Sequence, residues 1–261
     1  MAITAAMVKE LREMTGAAMM DCKKALDETA GDMDAAKEFL RKKGAATADK
    51  KSSRETKEGA ISIVNEGSQA GLVKIACETD FVAINDDFQK FIAGLAAKAM
   101  TLGAEAFEAE TKEDFTTAIA KMGENMSCLE LQSWKAAAGN LIGAYVHGTG
   151  SIGVLVEVTA GAGAEEKAKD LAMHIAANKV EAISEADLDP SIVEKERVFQ
   201  IEQAKESGKP QEIAEKMVMG RMNKFKKEIC LVDQPFVKDP DKTIKQWLGG
   251  IEVVRFYKAA F

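Results

Sequence analysis

One pattern recurs along this chain and limits what it can fold into: two β-rich runs joined by a short turn, then a helix. The first copy predicts strands at residues 60–64 and 71–77, joined through an Asn-Glu-Gly turn at 65–67, and a helix over 87–100. That helix carries Phe88, Phe91, Ile92 and Leu95 on one face. The second copy predicts strands at 141–147 and 152–158 and a helix over 164–178. Leu72-Val-Lys-Ile75 matches Leu155-Val-Glu-Val158, and Leu95-Ala-Ala-Lys98 matches Ile175-Ala-Ala-Asn178. Strands joined by turns this short pair antiparallel. Two subdomains of one plan follow, each an antiparallel sheet backed by helices, and the fold class is α+β.

The flanks read differently. The first forty residues predict three short helices: Thr4 caps 5–13, Thr15-Gly16 interrupts, 18–29 resumes, and Asp32 caps a third helix to about residue 42. Val8, Leu11, Met19, Leu26, Met33, Phe39 and Leu40 can meet in one small core. Residues 44–59 are rich in alanine, lysine and serine and, with Arg41, Lys42 and Lys43, form a basic run. It reads as a solvated helix or linker; an RNA-contacting arm is disfavoured because no aromatics interleave. A second helical pattern covers 113–122. Asp189-Pro190 opens a helix that Gly208-Lys209-Pro210 ends, and a second helix over 211–229 carries Ile213, Met217, Met222 and Phe225 on its seam. So short a connection folds the pair back antiparallel, as an interaction arm rather than a catalytic core. Residues 251–256 predict a closing strand. The expected organisation is a three-helix module at 1–45, a linker at 46–58, core subdomains at 59–140 and at 141–180 with 230–261, and a helical-hairpin (coiled-coil) insertion at 181–229.

Several function classes drop out. With a net charge of −7, a general nucleic-acid binder is disfavoured, because phosphate binding rests on a lysine and arginine excess. No apolar run reaches membrane-spanning length, residues 1–10 lack the apolar region of a signal peptide, and a cytoplasmic protein is expected. Cys22, Cys77, Cys128 and Cys230 are far apart and read as reduced thiols; neither they nor His147 and His174 have metal-ligand spacing. The Gly148-Thr-Gly150-Ser-Ile-Gly153 run resembles a dinucleotide fingerprint, but a strand follows it instead of a helix N-terminus, so it reads as a hairpin turn. Gly161-Ala-Gly163 precedes a helix whose first turn carries Glu165 and Glu166, which would repel phosphate. Ser207-Gly208-Lys209 lacks the remainder of a P-loop. His174 reads as a packed helix residue. No catalytic residue, metal ligand or cofactor is expected, and the chain does not read as an enzyme.

Glu78-Thr79-Asp80-Phe81-Val82-Ala83 follows the strand ending at Cys77. Two readings of this turn are open. In one, Asp80 caps the next turn and Phe81 plugs the core. In the other, Phe81 is an exposed wedge that inserts between apolar side chains of a partner, while the adjacent carboxylate competes for groups holding a hard cation such as Mg²⁺.

Along nearly its whole length the chain resembles the elongation factor Ts family of translation factors, of bacterial or organellar type. The resemblance is carried by Leu11-Arg-Glu-Met-Thr-Gly-Ala-Ala-Met-Met-Asp-Cys-Lys-Lys-Ala-Leu26, by Glu78 to Ala83, and by later blocks. These are His147 to Val158, Ala172-Met-His-Ile-Ala-Ala177, Ile213-Ala-Glu-Lys-Met217 with Gly220-Arg-Met222, and Gln234-Pro-Phe-Val237. It implies a non-enzymatic exchange factor that promotes GDP release from elongation factor Tu by disturbing its Mg²⁺ and phosphate site. The alternative class is a scaffold or chaperone-like binding protein. The N-terminal module is then similar to a ubiquitin-associated (UBA) domain, docking through Arg12, Met19, Met20 and Lys23. Thr79, Asp80, Phe81 and Val82 would reach the nucleotide site, and His147 with Gln234, Pro235, Phe236 and Val237 would meet other partner surfaces. The partner is expected in GDP-bound and nucleotide-free forms, with no membrane and no direct nucleic acid. The core and hairpin leave room for a homo-oligomer or a 2:2 assembly. The chain departs from the family pattern at Ala18, Lys74, Ala76 and Ile84, and it stops at Phe261 where many members continue into a further helix.

Overall fold

The computed structural model describes residues 2–206 and 210–261, and the chain divides into two compact units. One comprises residues 1–135, 146–153 and 259–261; the other comprises 136–145 and 154–258.

The first unit begins with α1 (Ala5–Thr15), α2 (Met19–Glu28) and α3 (Met33–Lys51). Local chemistry sets their ends. The Thr4 side chain accepts from Met7 N–H, Gly16 closes α1 at φ 66°, and the Asp32 carboxylate accepts from the Asp34 and Ala35 N–H groups, both at 2.9 Å. Val8, Leu11, Cys22, Ala25, Leu26 and Ala36 form the buried core, with Met33, Phe39 and Leu40 packed on it. Met19, expected in that core, is instead 56% exposed. Helix α3 also runs nine residues past its expected end, so residues 46–51 of the expected linker are helical. Its alanines and lysines favour helix, and it has a surface to lie on. Gly44 brings α3 close to α5 (Asp86–Met122), where an added Cβ would sit 3.6 Å from both the Ala120 and Thr116 side chains, and Ala48 packs into the core below.

Strands β1 (Glu58–Asn65), β2 (Gln69–Cys77) and β3 (Ser127–Lys135) form an antiparallel sheet in that order. Strand β3 is absent from the sequence reading. It is an edge strand with little alternation in burial, it is bulged opposite Lys74/Ile75, and Lys74 pairs with Glu130 across it at 2.9 Å. The short α4 (Asp80–Ala83) links β2 to α5. Helix α5 is two helices broken at Gly103, whose φ of 75° is non-helical, consistent with the two separate patterns read over 87–100 and 113–122. Phe88, Ile92, Leu95, Ala96 and Ala99 bury one face of α5 against Val73, Ile75 and Cys77.

The next elements are β4 (Leu141–His147), β5 (Ile152–Val158), α6 (Ala164–Ala177), α7 (Pro190–Glu206), α8 (Gln211–Ile229), β6 (Pro235–Phe236), β7 (Asp239–Thr243), α9 (Ile244–Leu248) and β8 (Val253–Ala260). The sheet order β4-β5-β8 realises the second copy and its closing strand. Gly148 and Gly150, at φ 58° and 112°, form the β4–β5 turn, so the 148–153 glycines make a hairpin and no dinucleotide cradle. Helices α7 and α8 pack on each other as a hairpin; the helix stop expected at Gly208 and Lys209 falls outside the described residues. The bonds of the buried Glu157 carboxylate to Ala137 N–H, Asn140 and Arg255 (2.9, 2.8 and 2.7 Å) outweigh its burial, and its pKa lies below the usual carboxylate value.

Glycine decides how closely α5 approaches the sheet. A Cβ on Gly71 would lie 2.2 Å from the Ala96 carbonyl oxygen and 2.5 Å from the Met100 nitrogen, both backbone atoms that cannot yield. Gly94, on the open side of the same helix, meets nothing. We expect Gly71→Ala to destabilise by about 3 kcal/mol through overpacking, and Gly94→Ala to stabilise by about 1 kcal/mol through helix propensity. Opposite shifts of the urea midpoint are the check; a Gly71→Ala midpoint equal to wild type would contradict the close approach.

Candidate functional site

The turn after β2 is built from Glu78 onward. Thr79 is the N-cap of α4, its hydroxyl accepting from Val82 N–H at 3.4 Å. Asp80 is exposed and accepts from the Phe81 N–H at 2.9 Å. Phe81 is 78% exposed, the largest exposure among the large apolar side chains described, and Ile84, one turn on, is also exposed. This decides between the two readings of the turn: Phe81 plugs no core. The inward positions are Val82, partly buried, and Ala83, buried, both packed on the core of the first unit. Leaving a phenyl ring in water forgoes roughly 1.5–3 kcal/mol of burial.

Side chains distant in sequence hold this turn. The Glu124 carboxylate accepts from the Glu78 and Thr79 N–H groups, each at 3.0 Å, and from the Thr79 hydroxyl at 2.6 Å. Glu78 in turn accepts from Asn125 N–H at 2.6 Å and faces Arg54 at 3.4 Å. Asn125, 8% exposed, donates to the Arg54 and Ser52 carbonyls at 2.8 and 3.4 Å. Lys51 donates to the Gly123 carbonyl. On the far side, Gln89 Nε2 donates to the Ala83 carbonyl at 2.7 Å and the Thr149 carbonyl at 3.0 Å, tying the Phe81 turn to the β4–β5 turn that carries exposed His147. Sequence reasoning missed Glu124, Asn125 and Gln89; they lie outside every motif, and only the Gly123 break marks the loop that carries two of them. Cys77 donates to the Thr79 carbonyl, and burial raises its thiol pKa to about 12, leaving it inert near neutral pH.

The N-terminal module presents Arg12, Met19, Met20 and Lys23 outward, with Met20 71% exposed. The basic run after it is largely engaged within the first unit: Arg41 and Lys42 with Glu38, Lys43 with Asp21, Lys51 with Gly123, Arg54 with Glu78. In the second unit the 234–237 segment alternates. Pro235 and Val237 are exposed, whereas Gln234 and Phe236 are buried. Gln234 donates to the Lys179 and Glu228 carbonyls at 2.8 and 2.6 Å, and Phe236 stacks on Trp247 with centroids 4.0 Å apart. Both side chains are occupied inside the unit, so outward contact from this segment falls to Pro235 and Val237. Among the described residues, no cluster of three or more histidine, cysteine or acidic side chains could hold a metal, and no helix is long and apolar enough to cross a membrane.

A family model described as Elongation factor TS matches residues 78–259. The chain is 48% identical to elongation factor Ts of Alkalilimnicola ehrlichii, covering 99% of this chain and 91% of that protein. It is 47% identical to the Idiomarina loihiensis protein of the same name, with 99% and 90% covered, and 49% identical to that of a Ruegeria species, with 94% and 87% covered.

His174 is the buried pin behind the 234–237 segment. Its Nδ1 accepts from Val237 N–H at 3.3 Å, which leaves Nε2–H to donate to Gln234 Oε1 at 2.8 Å. The ring must be neutral to do both, and burial lowers its pKa below the ordinary histidine value. The stability this contributes is complete above the unfolded pKa of about 6.5 and is lost as pH falls, because the unfolded chain takes up a proton the folded ring resists. We expect the stability advantage of wild type over His174→Gln to shrink by up to about 1 kcal/mol between pH 6.5 and 5.5. Urea unfolding at both pH values measures it; an advantage that grows on acidification would contradict the assignment.

Proposed function

The chain belongs to the elongation factor Ts family, and on that premise we propose that its Asp80–Phe81 turn is the element that drives GDP from elongation factor Tu. It is a guanine nucleotide exchange factor acting on that GTPase in translation elongation. The observation that supports the turn as the working element is the exposure of Phe81 on a turn whose other side is fixed by Glu124, Gln89 and the burial of Ala83. An aromatic ring kept in water and held by a braced backbone is poised to bury itself in a partner with little ordering cost.

An exchange factor forms no covalent bond. It binds the nucleotide-free GTPase more tightly than the GDP-bound form, and by linkage it weakens GDP binding by the same factor. The free energy comes from contacts that differ between the two states. Phe81 anchors in the partner, and the exposed Asp80 carboxylate disfavours the Mg²⁺ arrangement beside the phosphates, so GDP loses an electrostatic clamp. Arg12, Met19, Met20 and Lys23 dock the N-terminal module on the same partner, and His147, Pro235 and Val237 add further contacts. The engagement of the basic run within the first unit supports a protein partner without direct nucleic-acid contact. Work in the cytoplasm suits such a factor. Exposed Val198, Phe199, Ile213 and Met219 on the helical hairpin would support assembly into a 2:2 complex.

Release of fluorescent GDP from elongation factor Tu tests this. Phe81→Ala is expected to slow catalysed release about thirtyfold, the loss of one interface anchor, with an unchanged melting temperature. Asp80→Asn is expected to reduce release most at millimolar Mg²⁺. Release by Phe81→Ala equal to wild type removes the turn from the mechanism. A complex on a sizing column that excess GDP leaves intact would favour a scaffold instead.

A further inference from the structure

The loop after α5 does more than end a helix. Gly123, at φ 80°, turns the chain so that Glu124 and Asn125 face the start of α4. A carboxylate just past a helix C-terminus sits at the unfavourable end of the helix dipole. Glu124 is held there by the two N–H groups and the hydroxyl it accepts from Glu78 and Thr79. The exchange is reciprocal, since Glu78 accepts from Asn125 N–H. Hydrogen bonds to an ionised acceptor are about twice as strong as neutral ones, so these contacts outrank the 3.4 Å N-cap bond that Thr79 makes to Val82. Thr79 cannot rotate without giving up its hydroxyl bonds to Glu124 and Val82, and it directly precedes Asp80 and Phe81. Buried Ala83 and half-buried Val82 fix where the turn sits; Glu124 fixes how it points.

We propose that Glu124 is a positioning residue for nucleotide exchange: it sets the direction in which Asp80 and Phe81 meet the partner, without touching the partner itself. The same loop receives Lys51 and, through Asn125, the backbone of Ser52 and Arg54, so the end of α3 is fixed to the base of the wedge. This rests on the reading that the Asp80–Phe81 turn drives exchange.

A double-mutant cycle in the full-length chain tests it, read as fluorescent-GDP release from elongation factor Tu at saturating factor. Glu124→Ala alone is expected to slow release about tenfold, as misaimed groups do. Combined with Phe81→Ala, it should slow release no more than about twofold beyond Phe81→Ala alone, because both changes disable one device. A double variant that loses about three-hundredfold, the product of the single losses, shows independent effects and overturns the proposal. A Glu124→Ala rate equal to wild type also overturns it. Should Glu124→Ala not retain its circular dichroism spectrum, Thr79→Val, which removes the hydroxyl link, takes its place under the same criteria. If wild type itself fails to speed release, or Phe81→Ala matches it, the function reading falls first; if Phe81→Ala is slow and only the cycle fails, Glu124 alone loses its role.

Discussion

The turn that carries Asp80 and Phe81 is held by a reciprocal exchange between two loops, in which the Glu78 and Glu124 carboxylates each accept backbone N–H groups from the other loop. Glu124 accepts the Glu78 and Thr79 N–H groups, Glu78 accepts the Asn125 N–H, and Arg54 faces the Glu78 carboxylate. Such bonds are individually worth roughly 1.5–3 kcal/mol net because the acceptor is ionised. The half-exposed pairs elsewhere on the unit, such as Lys43 with Asp21, contribute much less. Three segments far apart in sequence, at residues 51–54, 78–79 and 123–125, thereby become one fixture. On it stands a phenylalanine that the unit itself has no use for.

The same fixture changes how the N-terminal module is connected. A helix that continues through Lys51, lies on α5 through Gly44 and ends in the Gly123–Asn125 loop is a strut, not a tether. The Met19/Met20 face and the Phe81 turn are therefore presented within one compact unit. Surfaces presented pre-arranged lower the ordering cost for any partner that engages both. The alanine and lysine content that suggests solvated linker is equally good helix composition, and contact with α5 settles the matter.

In the second unit a comparable economy governs residues 234–237. A strand of two residues alternates its side chains, so the 234–237 block need not be a contact surface throughout. Gln234 and Phe236 face inward to His174, Trp247 and two carbonyls, and they hold Pro235 and Val237 outward. The neutrality imposed on His174 by burial is part of that arrangement.

By itself, the sequence determined the α+β class, the recurring hairpin-plus-helix plan, the caps of the first and third helices, Thr4 and Asp32, and the hairpin nature of the 148–153 glycines. These rest on periodicity, capping and turn chemistry, which act over a few residues and are legible locally. Tertiary structure alone decided that Phe81 faces water, that Met19 leaves the core, that β3 joins the first sheet and that α3 outruns its expected end. It alone brought Glu124, Asn125 and Gln89 to the turn. Each depends on which distant backbone amide or apolar face lies opposite, and neither propensity nor spacing encodes that: Thr79 and Glu124 lie far apart in the chain and meet only in the fold.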